Sequence, residues 1–201
     1  IAVGLAPAFK MRFWNIGAEG QVLMGAVAAA ACMKYVAPNV PLGLSLVIMF
    51  AASAIAGGVW GFIPSVFKAR WNTNETLFTL MMNYIAIQIT SFCVSKWEDH
   101  YGSNTVGVIN QQTHAGWFPP ILGQQYLLNV LIVAVITVCM YLYLKESKHG
   151  FEIAVVGEST NTARYAAMNV RKIIIRTVIV SGAICGIAGF IAVAGAGHTI
   201  S

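Results

Sequence analysis

The sequence predicts an all-α integral membrane protein: a polytopic transmembrane helix bundle of about five full spans plus a partial N-terminal one. Three observations carry that prediction. The chain has 201 residues, of which 58% are hydrophobic and only 9% charged, against about 25% charged in a soluble domain. A water-facing surface cannot be covered from so small a charged supply, so the solvent around most of the chain is lipid. Five apolar stretches approach or exceed the roughly 20 residues that a spanning helix needs. The basic residues between them gather in alternate connections, which is the positive-inside pattern.

Taken in order, residues 1–9 read as the tail of a sixth hydrophobic segment, whose start is expected before the sequence. The run carries no basic n-region and is not a signal peptide, so the chain reads as a fragment, one transmembrane domain over 1–201. Residues 21–37 form the first span, short unless 17–20 joins it. Residues 40–67 form the second, long enough to tilt; 76–94, 126–144 and 173–196 are the third, fourth and fifth. The connection 38–41 is uncharged, and 96–125 holds one Lys against Glu98 and Asp99. By contrast, 68–75 carries Lys68 and Arg70, and 145–172 carries Lys145, Lys148, Arg164, Arg171 and Lys172 against Glu146, Glu152 and Glu158. This places 68–75 and 145–172 in the cytoplasm, with Lys10 and Arg12 on the same side, and 38–41 and 96–125 outside. The net charge of +5 is therefore topology. It lacks the interleaved aromatic residues that nucleic acid binding would use.

Small residues mark the helix contacts. Gly57, Gly58 and Gly61 cluster in the second span, and Gly182 and Gly186 form GxxxG in the fifth, with Gly189 following. In lipid such residues let backbones approach closely, and the reading is tight packing within the bundle. Cys32, Cys93, Cys139 and Cys185 lie far apart in apolar runs with no CxxC. They read as small buried hydrophobes.

Three places hold polar groups that a membrane protein does not carry idly. The stretch RFWNIGAEGQVLMGA, Arg12–Ala26, sets Asn15, Glu19 and Gln21 at the mouth of the first span. The third span opens with Asn72-Thr73-Asn74-Glu75, which resembles a capping box with Asn72 as the cap and a helix from near Thr73. At about 100° per residue, Glu75, Thr76, Thr79, Asn83 and Thr90 share an arc of about 100°. A polar stripe in the bilayer must face protein or water. It either lines a path or glues helices together by hydrogen bonds, and Asn83 and Tyr84 are the solute-contact candidates in this span. In the long basic connection, residues 157–161 read as a turn, with Ser159 capping a short helix over 162–168. Such a helix can dock on a protein or lie on anionic lipid.

Enzyme signatures are not found. The sequence holds no GxxxxGK[ST] and no HExxH. Ser181-Gly182 with His198 resembles an intramembrane serine protease only loosely, since position 179 is Ile where a Gly is expected. His100, His114, His149 and His198 are scattered and suggest no metal site. The sequon Asn74-Glu75-Thr76 falls on the expected cytoplasmic side.

The blocks NIGAEGQVLMGA (Asn15–Ala26), NETLFTLMMNYIA (Asn74–Ala86) and AVVGESTNTARYAAMNV (Ala154–Val170) occur in the order seen in bacterial ABC importer permeases. The chain resembles the nucleoside and simple-sugar uptake branch, similar to ribose and branched-chain amino-acid permeases, from about Gly4 to Gly195. The resemblance implies a permease of the bacterial cytoplasmic membrane, paired with a second permease subunit, identical or not. It also implies cytoplasmic ATPases, which hold ATP and Mg, and an extracytoplasmic substrate-binding lipoprotein. No cofactor is expected in this chain, and no enzyme activity of its own. The 145–172 connection would be the coupling loop, with Gly157, Glu158, Ser159, Asn161, Ala163, Arg164 and Tyr165 in the helix that meets the ATPase; this favours protein docking over lipid. The family's chains are longer, so further helices are expected at both ends. Two departures stand out. Related permeases often place Pro or Glu at Thr160 or Thr162 and Gly-Ile near Ala167-Met168, and Lys10 and Trp14 make the approach to the first block bulkier. The resemblance also gives the opening block a role: Asn15 and Gln21 offer hydrogen bonds to ribose hydroxyls or base edges, Gly17 and Gly20 permit a bend, and Glu19 sits in a first turn where the dipole favours an anion. The expected path is Asn15, Glu19, Gln21, Glu75, Thr79, Asn83 and Tyr84, operated by alternating access. The alternatives are the same machine for ribose, galactose or a branched-chain amino acid, and, from other classes, a membrane-embedded enzyme, for which paired acid, base or metal groups are lacking, or a structural or receptor membrane protein, against which the polar stripe stands.

Overall fold

A computed structural model describes residues 1–98, 106–119, 124 and 126–199. The chain forms α1 (Ala2–Lys10), α2 (Ala18–Tyr35), α3 (Leu42–Trp71), α4 (Glu75–Trp97), α5 (Leu127–Glu146), α6 (Lys148–Glu158), α7 (Thr160–Tyr165) and α8 (Val170–Ala192). A 3-10 turn, Ala37–Asn39, extends α2, and a π-helical turn, Val193–Gly197, extends α8. Among the described residues five helices are long and apolar enough to cross a membrane: α2, α3, α4, α5 and α8. The five expected spans are these helices, and the all-α polytopic fold is the one observed.

The bundle is built on α2, α3 and α8, which pack most extensively on one another. The buried face of α3 repeats every fourth residue as Ser45, Met49, Ser53, Gly57, Gly61 and Ser65, while Val47, Phe50, Ile55, Val59 and Phe62 point outward. Small residues inside and large apolar ones outside is the pattern lipid rewards, because association there rests on close backbone approach. Gly57 lies against Gly182, Gly186 against Ser53, and Gly25 against Gly186, each with no room for a Cβ. The glycine-rich spans thus make the packing contacts expected of them. Several buried hydroxyls are satisfied locally or across the contact, while Ser181 Oγ on α8 is buried with no partner among the described residues. Ser45, Ser65 and Thr177 donate to carbonyls one turn back at 2.6–2.8 Å, and Ser53 donates to the Gly25 carbonyl of α2 at 3.0 Å. No donor can be left to water inside the bilayer.

The other helices are peripheral. α4 packs mainly on α2. Of α5, only Met140 is buried.

Two local expectations are corrected. Asn72 does not cap α4; it ends α3 in the left-handed region (φ 51°), its N–H bonded to the Lys68 carbonyl, and Asn74 is the cap instead, accepting from Thr76 N and Leu77 N. Residues 157–161 are not one turn: Gly157 and Glu158 close α6, Ser159 is the break, and α7 runs from Thr160 to Tyr165 where 162–168 was expected. Ser159 does cap it, accepting from Thr162 N at 3.2 Å.

The two ends of the bundle differ in chemistry. Arg12, Lys68, Arg70, Arg164 and Arg171 gather at one end, as the alternating charge pattern requires. The other end is sealed by an apolar cluster containing Met33, Met49, Val94, Ile109, Phe190 and Val193. Residues 106–119 fold over it, with Ile109 N bonded to the His198 carbonyl and Phe118 N to the Ala194 carbonyl. There the Trp117 indole is stacked between His114 (4.4 Å) and His198 (3.9 Å). The remainder of the expected outer connection, with Asp99 and His100, lies outside the described residues.

Candidate functional site

The polar residues of the opening block fold inward. Phe13 N reaches back to the Ala8 carbonyl, with Arg12 in the left-handed region (φ 57°), and this turns the chain sharply after α1. Asn15 is then buried at 1% exposure; its Oδ1 accepts from Gly17 N at 3.1 Å and its Nδ2 donates to Gln21 Oε1 at 3.2 Å. Gln21 is equally buried, against Gly61 of α3.

From the other side comes Asn83 of α4, 6% exposed. Its Oδ1 accepts from Gly20 N at 2.8 Å and its Nδ2 donates to the Ile16 carbonyl at 2.9 Å. Gly20 N sits in the first turn of α2, where a helix has no internal acceptor to offer. Glycine is required at this contact: a Cβ on Gly20 would stand 2.8 Å from Asn83 Oδ1 and 3.1 Å from Trp60 Nε1, and one on Gly17 would stand 2.9 Å from Thr79 Cβ. Thr79 is fully buried, its hydroxyl bonded to its own helix at Glu75 O (2.7 Å), and Thr90 likewise bonds to Ala86 O.

The seven path candidates are therefore divided. Asn15, Thr79 and Asn83 lie in one buried seam where the start of α2 meets α4, and Gln21, bonded to Asn15, faces α3 beside it. Glu75 stands at the basic end and pairs with Lys68 at 2.7 Å. Glu19, in the first turn of α2, is exposed. Tyr84, 64% exposed, turns away from Asn83 toward a shallow apolar groove with Ile85, Gln88, Ile89 and Phe92. The polar stripe faces α2, and in the state described Asn83 serves as interhelical hydrogen bonding.

Sequence reasoning missed Trp60. Its indole Nε1 is buried with no hydrogen-bond partner and closes on the same glycine gap. The signal was present: it stands in GGVWG, the one polar-tipped side chain within the glycine cluster of α3.

At the basic end lies a cleft of about 1180 Å³ between the ends of α3, α4, α6 and α8. Its walls include the five cations named above against Glu75 and Glu158. The α6–α7 elbow forms one wall. Ala163 is fully buried and anchors α7, whereas Asn161 and Arg164 are exposed and Tyr165 is 92% exposed. Gly157 abuts the Lys10 carbonyl. After α7, Ala167 takes the left-handed conformation (φ 57°) while Met168 N bonds to the Ala163 carbonyl. That conformation favours glycine after a helix end. At the α5–α6 corner His149 is buried and Nδ1 is hydrogen-bonded to the Tyr143 hydroxyl. Burial first, then the Arg176 charge, pushes its pKa below the ordinary value, with Glu152 acting the other way. No cluster of three or more metal-ligating side chains occurs among the described residues. Ser181 lies within the α8 core and His198 beyond the helix end against Trp117, far from a catalytic pair.

A family model described as branched-chain amino acid transport system / permease component matches residues 1–201. The chain is 37% identical over 197 residues to the guanosine ABC transporter permease protein NupP of Bacillus subtilis (strain 168), covering 94% of this chain and 55% of that protein. It is 28% identical to the glucose ABC transporter permease protein TsgB13 of Haloferax volcanii, over 97% of this chain and 54% of that one. It is 27% identical to the nucleoside ABC transporter permease protein NupB of Lactococcus lactis subsp. cremoris, over 94% and 54%. The chain thus spans about half the length of the curated relatives it matches. No solved structure matches it.

Proposed function

Because the chain belongs to the branched-chain amino acid transport system / permease component family, we propose that it contributes the membrane path of an ATP-driven importer of nucleosides. The proposed setting is the bacterial cytoplasmic membrane, with the basic end inside. The observation that carries the reading is the buried amide group of Asn15, Gln21 and Asn83, set in an otherwise apolar bundle. Amides supply both donors and acceptors, the complement of a nucleoside's base and sugar. The relatives named for guanosine and for nucleosides support that solute class. The relative named for glucose makes a simple sugar the second reading.

The proposed cycle is alternating access. Cytoplasmic ATPase subunits, which would hold ATP and Mg, dock on the exposed tip of α7 through Asn161, Arg164 and Tyr165. Gly157, Glu158, Ser159 and Ala163 form the frame that holds this tip. An extracytoplasmic binding lipoprotein delivers the solute at the end sealed by residues 106–119, and a second permease subunit completes the path. Glu75 would guard the inner mouth, and Glu19 and Tyr84 would join the path only in another state or against a partner. The chain's own residues make and break no covalent bond.

The test is uptake by the full-length protein assembled with its ATPase. Labelled inosine or guanosine should accumulate and be displaced by unlabelled nucleoside, and not by ribose or glucose. Accumulation of a sugar with no nucleoside uptake would sink the reading.

A further inference from the structure

We infer that the Asn83 amide occupies, in the structure described, a backbone subsite for a nucleobase edge. The subsite is the Ile16 carbonyl and the Gly20 N–H, with the Trp60 indole N–H as a further donor. This rests on the nucleoside reading above and deepens it.

The geometry points to a displaceable occupant. A carboxamide offers one donor and one acceptor side by side, and Asn83 uses both at once, Nδ2 to Ile16 O at 2.9 Å and Oδ1 from Gly20 N at 2.8 Å. The lactam edge of hypoxanthine or guanine, N–H beside C=O, presents the same pair at the same spacing. Bases taken out of a stack are commonly read in this way along their pairing edge. The receiving groups belong to the main chain at the start of α2, so they stay in place when α4 moves. Gly20 leaves the site open on the side where a Cβ would collide with Asn83 and Trp60. The buried Trp60 Nε1 has no partner here, which is costly for a donor in a membrane interior and is explained if its acceptor arrives with the ligand.

α4 is suited to withdraw. Its opposite face, with Leu77, Met81, Tyr84 and Ile85, is exposed. Thr79 and Thr90 on its buried face bond to their own helix, leaving Asn83 as the mid-helix tie to α2. A base that offers the same two hydrogen bonds replaces the tie without leaving the backbone groups bare. The ligand thereby favours the open state by its differential contacts.

The experiment uses the full-length protein in its assembled importer. The KM for uptake is measured for inosine and for purine riboside, whose base lacks the lactam N–H and C=O. Inosine should have a KM at least about tenfold lower, the effect of losing one or two hydrogen bonds to neutral groups. Trp60→Phe should raise the inosine KM about tenfold at unchanged levels of assembled complex. Asn83→Ala, which uncovers the subsite, should lower it by a similar factor. Equal KM values for the two nucleosides, an unchanged inosine KM in Trp60→Phe, or a raised KM in Asn83→Ala would each overturn the inference while leaving nucleoside import intact. If Asn83→Ala does not assemble, the ligand pair and Trp60→Phe decide. Failure of the wild type to carry any nucleoside, with uptake of another solute, would instead remove the underlying reading.

Discussion

Gly57 on α3 and Gly182 on α8 lie backbone against backbone, so that a Cβ on Gly182 would stand 2.5 Å from the Gly57 carbonyl oxygen. Neither helix can retreat without opening the crossing on which the bundle is built. Gly182→Ala should therefore destabilise the protein by about 1–3 kcal/mol, the usual cost of overpacking. Gly43 is the internal control. It is the second residue of the same α3 helix, where an added Cβ would meet nothing within 4 Å, and Gly43→Ala should cost nothing and gain at most about 0.5 kcal/mol from helix propensity. Thermal unfolding in detergent reads both, and a Gly182→Ala protein as stable as Gly43→Ala would refute the crossing.

Ala167 holds a left-handed conformation after α7 (φ 57°). For a residue with a Cβ this costs about 1 kcal/mol or more. Ala167→Gly should raise the melting temperature and slow proteolysis between α7 and α8. No change, or a loss, would place Ala167 elsewhere in backbone space.

His149 gives a pH dependence with a definite sign. Its folded-state pKa lies below the ordinary 6.5 because burial and Arg176 disfavour the imidazolium. The folded protein therefore prefers the neutral ring. That stability is fully present above about pH 6.5 and is lost as the pH falls below it. Between pH 7.5 and 5.5 the melting temperature should drop more for wild type than for His149→Gln. Parallel profiles would show that His149 does not contribute.

Arg164 and Tyr165 project from α7 beside a cleft rich in cations. If this tip meets an acidic groove of the ATPase, Arg164→Glu should cut co-purification of that subunit at least about tenfold, since like charges across an interface cost several kcal/mol. Thermal stability of the permease itself should hardly change. An intact complex would move the docking site off α7.

The five spans were legible because continuous hydrophobicity is a long signal, and spaced glycines announced close packing, though not that α3 and α8 were the partners. The short elements were less so. Gly157 read as part of a turn, yet α6 runs through it as it runs through Gly150; each is small because a carbonyl, of Lys10 and of Leu144 respectively, occupies the space of a Cβ. Two Asn residues competed for one cap, and the end of α3 decided it by drawing Asn72 into the left-handed region, which left Asn74 to start α4. The polar stripe was visible as an arc on a wheel, but its partners were not. Asn83 bonds to main-chain groups of residues 16 and 20, and main-chain groups carry no signature in a sequence. Tyr84 follows Asn83 in the chain and by that step lies about 100° round the helix, so adjacency was a poor guide to shared surface.

The abutment of Gly157 on the Lys10 carbonyl joins two parts of the molecule that lie 147 residues apart in a chain of 201. Lys10 ends α1, and five residues later comes Asn15. Ala163 beneath Tyr165 is fully buried, and α6 touches α1 at Gly157, so packed contacts run from the tip of α7 to that turn. The inner elbow and the polar threshold of α2 are thus neighbours in space, joined by a contact that a sideways shift of α6 would have to break or carry along.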